Sequence, residues 1–469
     1  MTSASAGLEF VLNGEPVQES GIAPQTTLLD YIRGRGLTGA KEGCAEGECG
    51  ACAVLFVKAG LNGAAYQSVN SCLVPLPAVA GQELYTVEAL TECGELADPQ
   101  RAMAERGGSQ CGYCTPGFIV SMFAQQQAGH VGRFDPAALG GNLCRCTGYR
   151  PIREAMQSLG PPRDTPLRRR LGSAAPAVLP VDYESPAGRF SRPCNLSECL
   201  KLAAGDPASR FVAGNTDLGV MTNLRHARFP HLISLEGVPE LREFHDGPRC
   251  VEIGAGLTLT EIEERWGEAP DFFHDWLRLF ASPLIRNRAT LGGNLATASP
   301  IGDSAPLLLA LDAELCIAGP EGERAVPLHS FFPDYRRTSL DRGEVLRSVR
   351  IPKPLPAVTH FYKVAKRRVD DISTVAAGIS LRFDDSGSIA AARLAFGGVG
   401  PVPLRVFEAE DAIVGAHAPD LSRVKEILRR TLHPMSDHRG SSAYRLAMAQ
   451  SLLDKFFWST ESDRRSNQR

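Results

Sequence analysis

Three cysteines crowd into one short stretch, Gly43-Cys44-Ala45-Glu46-Gly47-Glu48-Cys49-Gly50-Ala51-Cys52, with the spacing C-x4-C-x2-C. A plain helix or strand cannot carry this stretch. Gly43, Gly47 and Gly50 punctuate it, and glycine takes backbone angles that other residues avoid. The loop folds back and turns its thiols to one place, and Cys72 supplies a fourth. Two irons bridged by two sulfides need four thiolates, and this is the spacing of a plant-type [2Fe–2S] site. Backbone N–H groups exposed by a glycine-rich loop tune such a centre. Zinc ribbons use paired C-x2-C units, which makes zinc the weaker alternative.

At 469 residues the chain has room for about three domains. A formal charge of -3 gives no electrostatic footing for nucleic acid or an acidic membrane. There is no run of about 18 apolar residues and no basic-then-apolar leader, so the chain reads as cytoplasmic. Thirteen cysteines, many of them clustered, favour metal over disulfides in such a chain.

Leu8–Leu12 alternates apolar and polar as a half-buried strand does, Asn13-Gly14 marks a hairpin turn, and Val17 begins the return strand. Thr27–Arg33 is apolar at helical spacing, with Thr26 or Thr27 as N-cap and Gly34 and Gly36 as its stop. Ala53–Val57, after the cysteine loop, is a continuous apolar strand. This predicts a small β-grasp ferredoxin domain over residues 1–80. Residues 81–160 turn helical and hold Cys111, Cys114, Cys144 and Cys146. Pro116 opens a helix with Phe118, Ile119, Met122 and Phe123 on its apolar face, and Pro151 opens another through Ile152, Met156 and Leu159. Helix N-termini beside the cysteines favour thiolates. Alone, C-x2-C with C-x-C also fits zinc or a redox dithiol. Behind a first cluster motif, a helical [2Fe–2S] domain is the stronger reading. Residues 161–180, rich in proline and charge, read as a surface linker with Arg168, Arg169 and Arg170 solvated.

Residues 181–350 carry two polar loops. Arg210–Gly219 is a strand running into a glycine turn, whose N–H groups can cradle a phosphate. It is neither G-x-G-x-x-G nor a Walker A loop. Thr290–Asp303 is the second loop, rich in glycine, hydroxyl and amide. Two such loops suit a pyrophosphate-containing cofactor. In 351–469, Val375–Leu381 and Ala391–Phe396 read as strands, and Val424–Leu432 and Tyr444–Phe457 as helices. The fold class is α+β multidomain: a β-grasp ferredoxin domain, a helical [2Fe–2S] domain, a two-part α+β domain over 181–350 and a C-terminal α+β domain.

Three stretches carry a specific resemblance: Leu37-Thr38-Gly39-Ala40-Lys41-Glu42-Gly43-Cys44, Gln110-Cys111-Gly112-Tyr113-Cys114-Thr115-Pro116-Gly117 and Asn142-Leu143-Cys144-Arg145-Cys146-Thr147-Gly148-Tyr149. In this order they resemble the iron–sulfur segment of the xanthine dehydrogenase (molybdenum hydroxylase) family. The resemblance implies that Cys44, Cys49, Cys52 and Cys72 hold one [2Fe–2S] cluster near a flavin. Cys111, Cys114, Cys144 and Cys146 then hold another, nearer a molybdenum centre. The two polar loops resemble the family's FAD motifs. By that match Phe211, Val212, Ala213, Gly214, Asn215, Thr216, Asp217 and Leu218 cradle FAD with Thr290, Leu291, Gly292, Gly293 and Asn294. Asp303 bonds further along it, and Phe280, Leu346 and Lys363 contact it. From pattern alone Phe280 and Leu346 read equally as core. Gln110 matches a glutamine that faces the pterin of the molybdenum cofactor, or is a plain loop amide.

Lys363–Ile372 resembles the family's K-x3-R-R-x-D-D-I segment. Arg367, Arg368, Asp370 and Asp371 there resemble a mobile gate, or form a charged surface turn. The serine that relatives often carry is absent at Ala365 and Lys366. The resemblance implies that a partner subunit with the molybdenum cofactor hydroxylates a purine, and that electrons pass through the clusters to FAD and then NAD. No side chain here need be catalytic. It also implies a hetero-oligomer such as a dimer of heterodimers. The alternatives are a molybdenum hydroxylase acting on an aldehyde, nicotinate or carbon monoxide, and a zinc-dependent scaffold. Cys93, Cys194, Cys199, Cys250 and Cys316 read as small buried apolar residues.

Overall fold

In the computed structural model, which describes residues 7–60, 63–91, 94–130 and 135–466, Asn13 and Gly14 have φ of 55° and 86°. That pair of left-handed angles makes the tight turn joining Leu8–Leu12 to Glu15–Glu19. The helix Leu28–Gly34 starts where the sequence predicts, because the Thr27 hydroxyl accepts the Asp30 N–H at 3.0 Å. The described residues form two compact units, each considered by itself.

The first unit comprises the described residues up to Pro239, with Thr258–Glu264 and Ala281–Thr290. Its five-stranded sheet runs in the order Glu15–Glu19, Leu8–Leu12, Glu83–Tyr85, Ala53–Gly60, Gly63–Asn70. The central strand Glu83–Tyr85 pairs parallel with Leu8–Leu12, so the sheet closes past the expected boundary at residue 80. Ala53–Val57 is apolar throughout because both its faces are covered. Val54 and Phe56 join a core with Leu28, Leu29 and Ile32. Leu55 and Val57 join another with Phe118, Val120, Met122, Phe123, Ile152 and Met156. Each such side chain contributes roughly 1.5–3 kcal/mol when fully buried. The helices Thr115–Gln127 and Arg150–Gln157 thus sit on the sheet's second face, and the cysteines preceding them are held by that packing. A second sheet runs Val181–Ser185, Gly188–Arg192, His231–Ser234, Ser209–Val212.

The linker is largely exposed as expected, Arg168 and Arg169 included, and the correction concerns Leu167 and Arg170. Pro166–Arg170 is a short helix with Leu167 buried, and Arg170 makes a bidentate pair with Glu83 on the central strand. Glu83 is itself buried, so the guanidinium is drawn in to compensate its charge.

The second unit comprises Glu240–Leu257, Arg265–Phe280 and the described residues from Leu291 on. One antiparallel sheet runs Phe244–Asp246, Cys250–Gly254, Val345–Pro352, Glu314–Gly319, Gly322–Pro327. A second runs Val358–Val364, Val375–Phe383, Ile389–Gly397, Leu404–Arg405. The helices Leu421–Thr431 and Ser442–Ser466 share a core with the second sheet through Val424, Ile427, Leu428, Leu453 and Phe456. The expected polar loop at 290–303 is also corrected, since Leu291–Ala296 is helical. A Cβ on Gly292 would lie 2.6 Å from Ala255 Cβ, so glycine is there for close packing and not for a loop. No helix among the described residues is long and apolar enough to cross a membrane.

Arg445, 1% exposed, donates to the carbonyls of Thr374 and Gly398 and to both oxygens of Asp437 at 2.8 Å. Burial pushes the Asp437 carboxyl up. Arg445 and the N–H groups of Arg439 and Gly440 outweigh that and hold it at about 2. Its unfolded value is about 3.9, so this stabilisation is fully present above about pH 4 and is lost as pH falls toward 2. Asp437→Asn leaves the buried guanidinium uncompensated. Urea unfolding at pH 7 should show a loss of roughly 3 kcal/mol, with less pH dependence than the wild type below pH 4.

Candidate functional site

The first cysteine loop is built by left-handed turns at Ala45, Gly47 and Gly50, with φ of 58°, 85° and 66°. The N–H groups of Glu46 and Glu48 point at Cys44 Sγ, at 3.5 and 3.3 Å. A Cβ on Gly43 would lie 2.8 Å from Cys49 Sγ. Cys72 comes from the turn Ser71–Leu73, held by the Ser71 hydroxyl donating to the Cys52 carbonyl at 2.6 Å. Asn70, 2% exposed, donates to the Gly47 carbonyl at 2.7 Å.

All eight expected ligands are free thiols that meet in pairs: Cys44 with Cys49, Cys52 with Cys72, Cys111 with Cys146, and Cys114 with Cys144. The Cys49 thiol donating to Cys44, together with the Glu46 and Glu48 N–H groups, outweighs burial and pulls Cys44 down to about 5. Its partner Cys49 is pushed up by giving that bond and by burial. Cys72 likewise rises as it donates to Cys52, which falls. In the second set the Tyr113 N–H lowers Cys111, while burial and donation to Cys144 push Cys114 up to about 12. Among the described residues no three His, Cys, Asp or Glu side chains close round one point, as a single-ion shell needs. Pairs fit a binuclear cluster, which takes two thiolates on each iron.

The two cysteine loops meet backbone to backbone. The Leu143 N–H donates to the Cys49 carbonyl at 3.0 Å, and Asn142 Nδ2 donates to the Gly50 carbonyl at 3.3 Å. The Tyr113 hydroxyl reaches the Glu42 carbonyl. A Cβ on Gly50 would lie 2.3 Å from the Gly141 oxygen, and one on Gly117 2.1 Å from the Gly50 oxygen. Cys111, Cys146 and Gln110 are exposed, and Tyr113 and Tyr149 are nearly half exposed beside them.

The residues expected to hold FAD divide between the units. In the first, strand Ser209–Val212 ends in a turn that opens the helix Leu218–Arg225. Asn215 there has φ 62°, and a Cβ on Gly214 would lie 1.8 Å from the Arg288 oxygen. Of 211–218, only Asp217 is exposed. Thr290 is buried and bridges Thr258. In the second unit, Asp303 is the centre of a buried polar group. Lys363 Nζ donates to Asp303 Oδ2 at 2.7 Å and to the Leu279 carbonyl at 3.0 Å, the two side chains being 2% and 10% exposed. The Ser373 hydroxyl donates to Asp303 Oδ1, and Trp276 Nε1–H to the Asp303 carbonyl. Phe280 packs edge-on against Trp276 at 5.5 Å. Asn294 Oδ1 accepts the Ser304 N–H at 3.4 Å, and the buried Ser304 hydroxyl has no hydrogen-bond partner among the described residues. The orphan Ser304 hydroxyl is compatible with a phosphate-bearing cofactor, while glycine at 214 is required by the Arg288 carbonyl packed against it. Leu346 is buried in the strand Val345–Pro352, away from this group's hydrogen bonds.

Pattern reading overlooked Asn70, Asn223, Trp276 and Ser373; their partners are mostly backbone carbonyls, which leave no spacing signal. In the Arg367–Asp371 turn, Arg367 N–H donates to Asp371 and its guanidinium to the Asp370 carbonyl. Cys199 and Cys316 are buried as expected. Cys194 is exposed and Cys250 half-buried, against expectation: Cys194 lies before Asn195, the cap of the helix Leu196–Gly205, and Cys250 is the first residue of its strand. Cys93 lies outside the described residues.

Four family models match. "2Fe-2S iron-sulfur cluster binding domain" matches residues 10–76, and "[2Fe-2S] binding domain" matches 86–157. "FAD binding domain in molybdopterin dehydrogenase" matches 185–354, and "CO dehydrogenase flavoprotein C-terminal domain" matches 360–460. Xanthine dehydrogenase of Drosophila subobscura is 34% identical over 98% of this chain and 39% of its own length. Xanthine dehydrogenase 1 of Arabidopsis thaliana is 32% identical over 87% of this chain and 36% of its own. The chain therefore spans well under half the length of these curated relatives. A solved quinoline 2-oxidoreductase from Pseudomonas putida 86 superposes with a TM-score of 0.54 at 30% identity, covering 58% of this chain and 96% of that one. Carbon monoxide dehydrogenase from Hydrogenophaga pseudoflava gives 0.54 at 27%, with the same 58% and 96%.

Two substitutions probe these sites. In a helix, glycine to alanine ordinarily gains about 1 kcal/mol. At Gly117 the clash with the Gly50 oxygen outweighs that gain, since overpacking costs roughly 1–3 kcal/mol. Gly117→Ala should therefore lower the melting temperature and the iron content. Lys363→Met strands the buried Asp303 carboxylate. We expect a loss of about 3–5 kcal/mol in urea unfolding, partly recovered in the Lys363→Met/Asp303→Asn double variant.

Proposed function

Because the chain belongs to the molybdenum hydroxylase family, as its iron–sulfur and FAD portion, we propose that it carries electrons from a molybdenum centre on a partner subunit to FAD and then to NAD. In this reading Cys44, Cys49, Cys52 and Cys72 hold one [2Fe–2S] cluster and Cys111, Cys114, Cys144 and Cys146 the other. Each hydrogen-bonded thiol pair would furnish the thiolates for one iron. The turn at 211–218, Thr290–Asn294, Asp303, Phe280, Leu346 and Lys363 hold FAD. When bound, the clusters carry single electrons and the flavin exchanges electron pairs with a nicotinamide.

The observation that carries the proposal is the Leu143 N–H bonded to the Cys49 carbonyl, with glycine at 50, 117 and 141. It brings a ligand of one site to within one hydrogen bond of the segment bearing a ligand of the other. The loop N–H groups stabilise thiolate charge, and the apolar cores behind both loops exclude water. In the second unit Lys363 and Asp303 form a buried ion pair with no net charge.

The substrate we favour is xanthine. The relatives that match nearly the whole chain are xanthine dehydrogenases, whereas the solved quinoline and carbon monoxide enzymes' chains match little more than half of it. The flavoprotein model at 360–460 and those structures keep the second reading in play, a hydroxylase of an aldehyde, nicotinate or carbon monoxide. A cytoplasmic hetero-oligomer, such as a dimer of heterodimers, completes the proposal.

The test is metal and flavin analysis of the chain purified with whatever accompanies it. Four irons, one FAD and co-purifying molybdenum are expected, with NAD reduction by xanthine. Cys49→Ser should remove one of two paramagnetic signals in the reduced protein and leave the other. Zinc without flavin would overturn the electron-transfer role; NAD reduction by an aldehyde and not by xanthine would overturn the substrate.

A further inference from the structure

Two side-chain amides tie the first cysteine site to the turn after strand Ser209–Val212. Asn223, on the helix Leu218–Arg225, spends both N–H bonds of its amide. Its Nδ2 lies 2.8 Å from the Ala45 carbonyl and 2.8 Å from the Cys72 carbonyl. One amide thus staples the glycine-rich loop to the segment bearing the remote fourth thiol. Asn215, inside the turn, donates from Nδ2 to the Leu73 carbonyl at 2.8 Å. It grips the residue directly after that thiol.

The fit is tight. Asn215 is held in its left-handed conformation while its carbonyl accepts the Gly219 N–H at 2.8 Å. A Cβ on Gly219 would lie 3.0 Å from both Asn215 Nδ2 and Leu73 Cδ2. Cys72 itself is 3% exposed. A shift of the Asn215 backbone therefore passes to Leu73 and on to Cys72 without slack.

We propose that Asn215 and Asn223 are positioning residues that couple flavin occupancy of the 211–218 turn to the seating of the Cys72 thiolate. Flavin binding and the redox state of the first cluster then influence one another. The inference rests on the reading of that turn as part of the FAD site. A diphosphate held by the turn fixes the backbone of Asn215, whose side chain fixes Leu73. Groups just outside the ligands orient them and tune the metal they hold. The coupling is reciprocal. If FAD binds tenfold more tightly to one redox state of the cluster, loading with FAD moves its one-electron midpoint by about 59 mV.

The experiment is a potentiometric titration of the full chain with its co-purified partner, followed by paramagnetic resonance, with FAD bound and after FAD removal. The signal that Cys72→Ser abolishes should move by about 59 mV on FAD removal, a tenfold effect, while the other signal stays in place. In Asn215→Asp, which keeps a residue tolerant of the left-handed turn but removes the Nδ2 donor to Leu73, the shift measured at saturating FAD should vanish. In Asn223→Ala it should vanish, or the first cluster's irons should be lost, either of which supports the staple. An equal midpoint with and without FAD in the wild type overturns the coupling. So does an undiminished shift in both variants. A chain that keeps its irons and takes up no FAD defeats the flavin reading itself, a result distinct from FAD bound without coupling.

Discussion

Two cysteine loops can lie backbone to backbone only where nothing projects between them. Gly50 and Gly117 meet that condition: a methyl group at either would fall well inside contact distance of a carbonyl oxygen on the neighbouring segment. The close approach lets the Leu143 N–H reach the Cys49 carbonyl. It also lets the first turn of Thr115–Gln127 settle beside the first loop while the rest of that helix packs Phe118, Val120 and Met122 against Leu55 and Val57. The apolar core behind the sheet therefore fixes where the second set of thiols stands relative to the first. Packing and site geometry are one constraint in this unit, read from two sides.

Buried and half-buried cations supply a second kind of tie. Arg192, 1% exposed, donates to the carbonyls of Leu179, Ala78 and Ala80. Arg170 grips Glu83 and also the carbonyls of Ser173 and Ala174. In the second unit Lys363 and Arg445 each join a carboxylate to backbone carbonyls. Burying a charge costs several kcal/mol unless it is compensated. Irregular segments carry carbonyls that no ladder satisfies. A guanidinium with five donors meets both needs at once. These residues hold connecting segments in place where secondary structure gives out.

Features whose physics is local were legible in the sequence. Asn13-Gly14, the Thr27 cap, the helix opened by Pro116 and the cysteine spacings all follow from neighbours within a few residues. The strand Glu83–Tyr85 was missed because it is three residues long, and Glu83 is buried only by grace of Arg170, far along the chain. Leu291–Ala296 reads as a loop in the sequence because Gly292 and Gly293 disfavour helix, and its compensation is the close packing of Gly292 on Ala255. Arg168 to Arg170 reads as a solvated run by composition, which cannot reveal a buried carboxylate waiting elsewhere. Asn70, Asn142 and Asn223 act on carbonyls of distant segments, and a carbonyl carries no residue identity for a pattern to detect.

The thiol sites show why so few charged side chains are needed around a concentration of negative charge. Cys44 receives the N–H groups of Glu46 and Glu48, Cys49 that of Ala51, and Cys72 that of Gly47. Cys111 receives that of Tyr113, and Cys144 those of Cys146 and Thr147. These are fixed dipoles of a folded loop, oriented before any charge arrives, so they stabilise thiolate without the rotamer entropy a lysine or arginine would lose. They differ from charged side chains in one further respect. A backbone amide does not give up its proton in this pH range, so a loop built this way can stabilise negative charge without opening a route for acid–base chemistry beside it. Of the first loop's carboxylates, Glu42 and Glu46 stand exposed to solvent and Glu48 is half-buried. A site made of thiols, amide dipoles and glycine is suited to holding charge and passing it on.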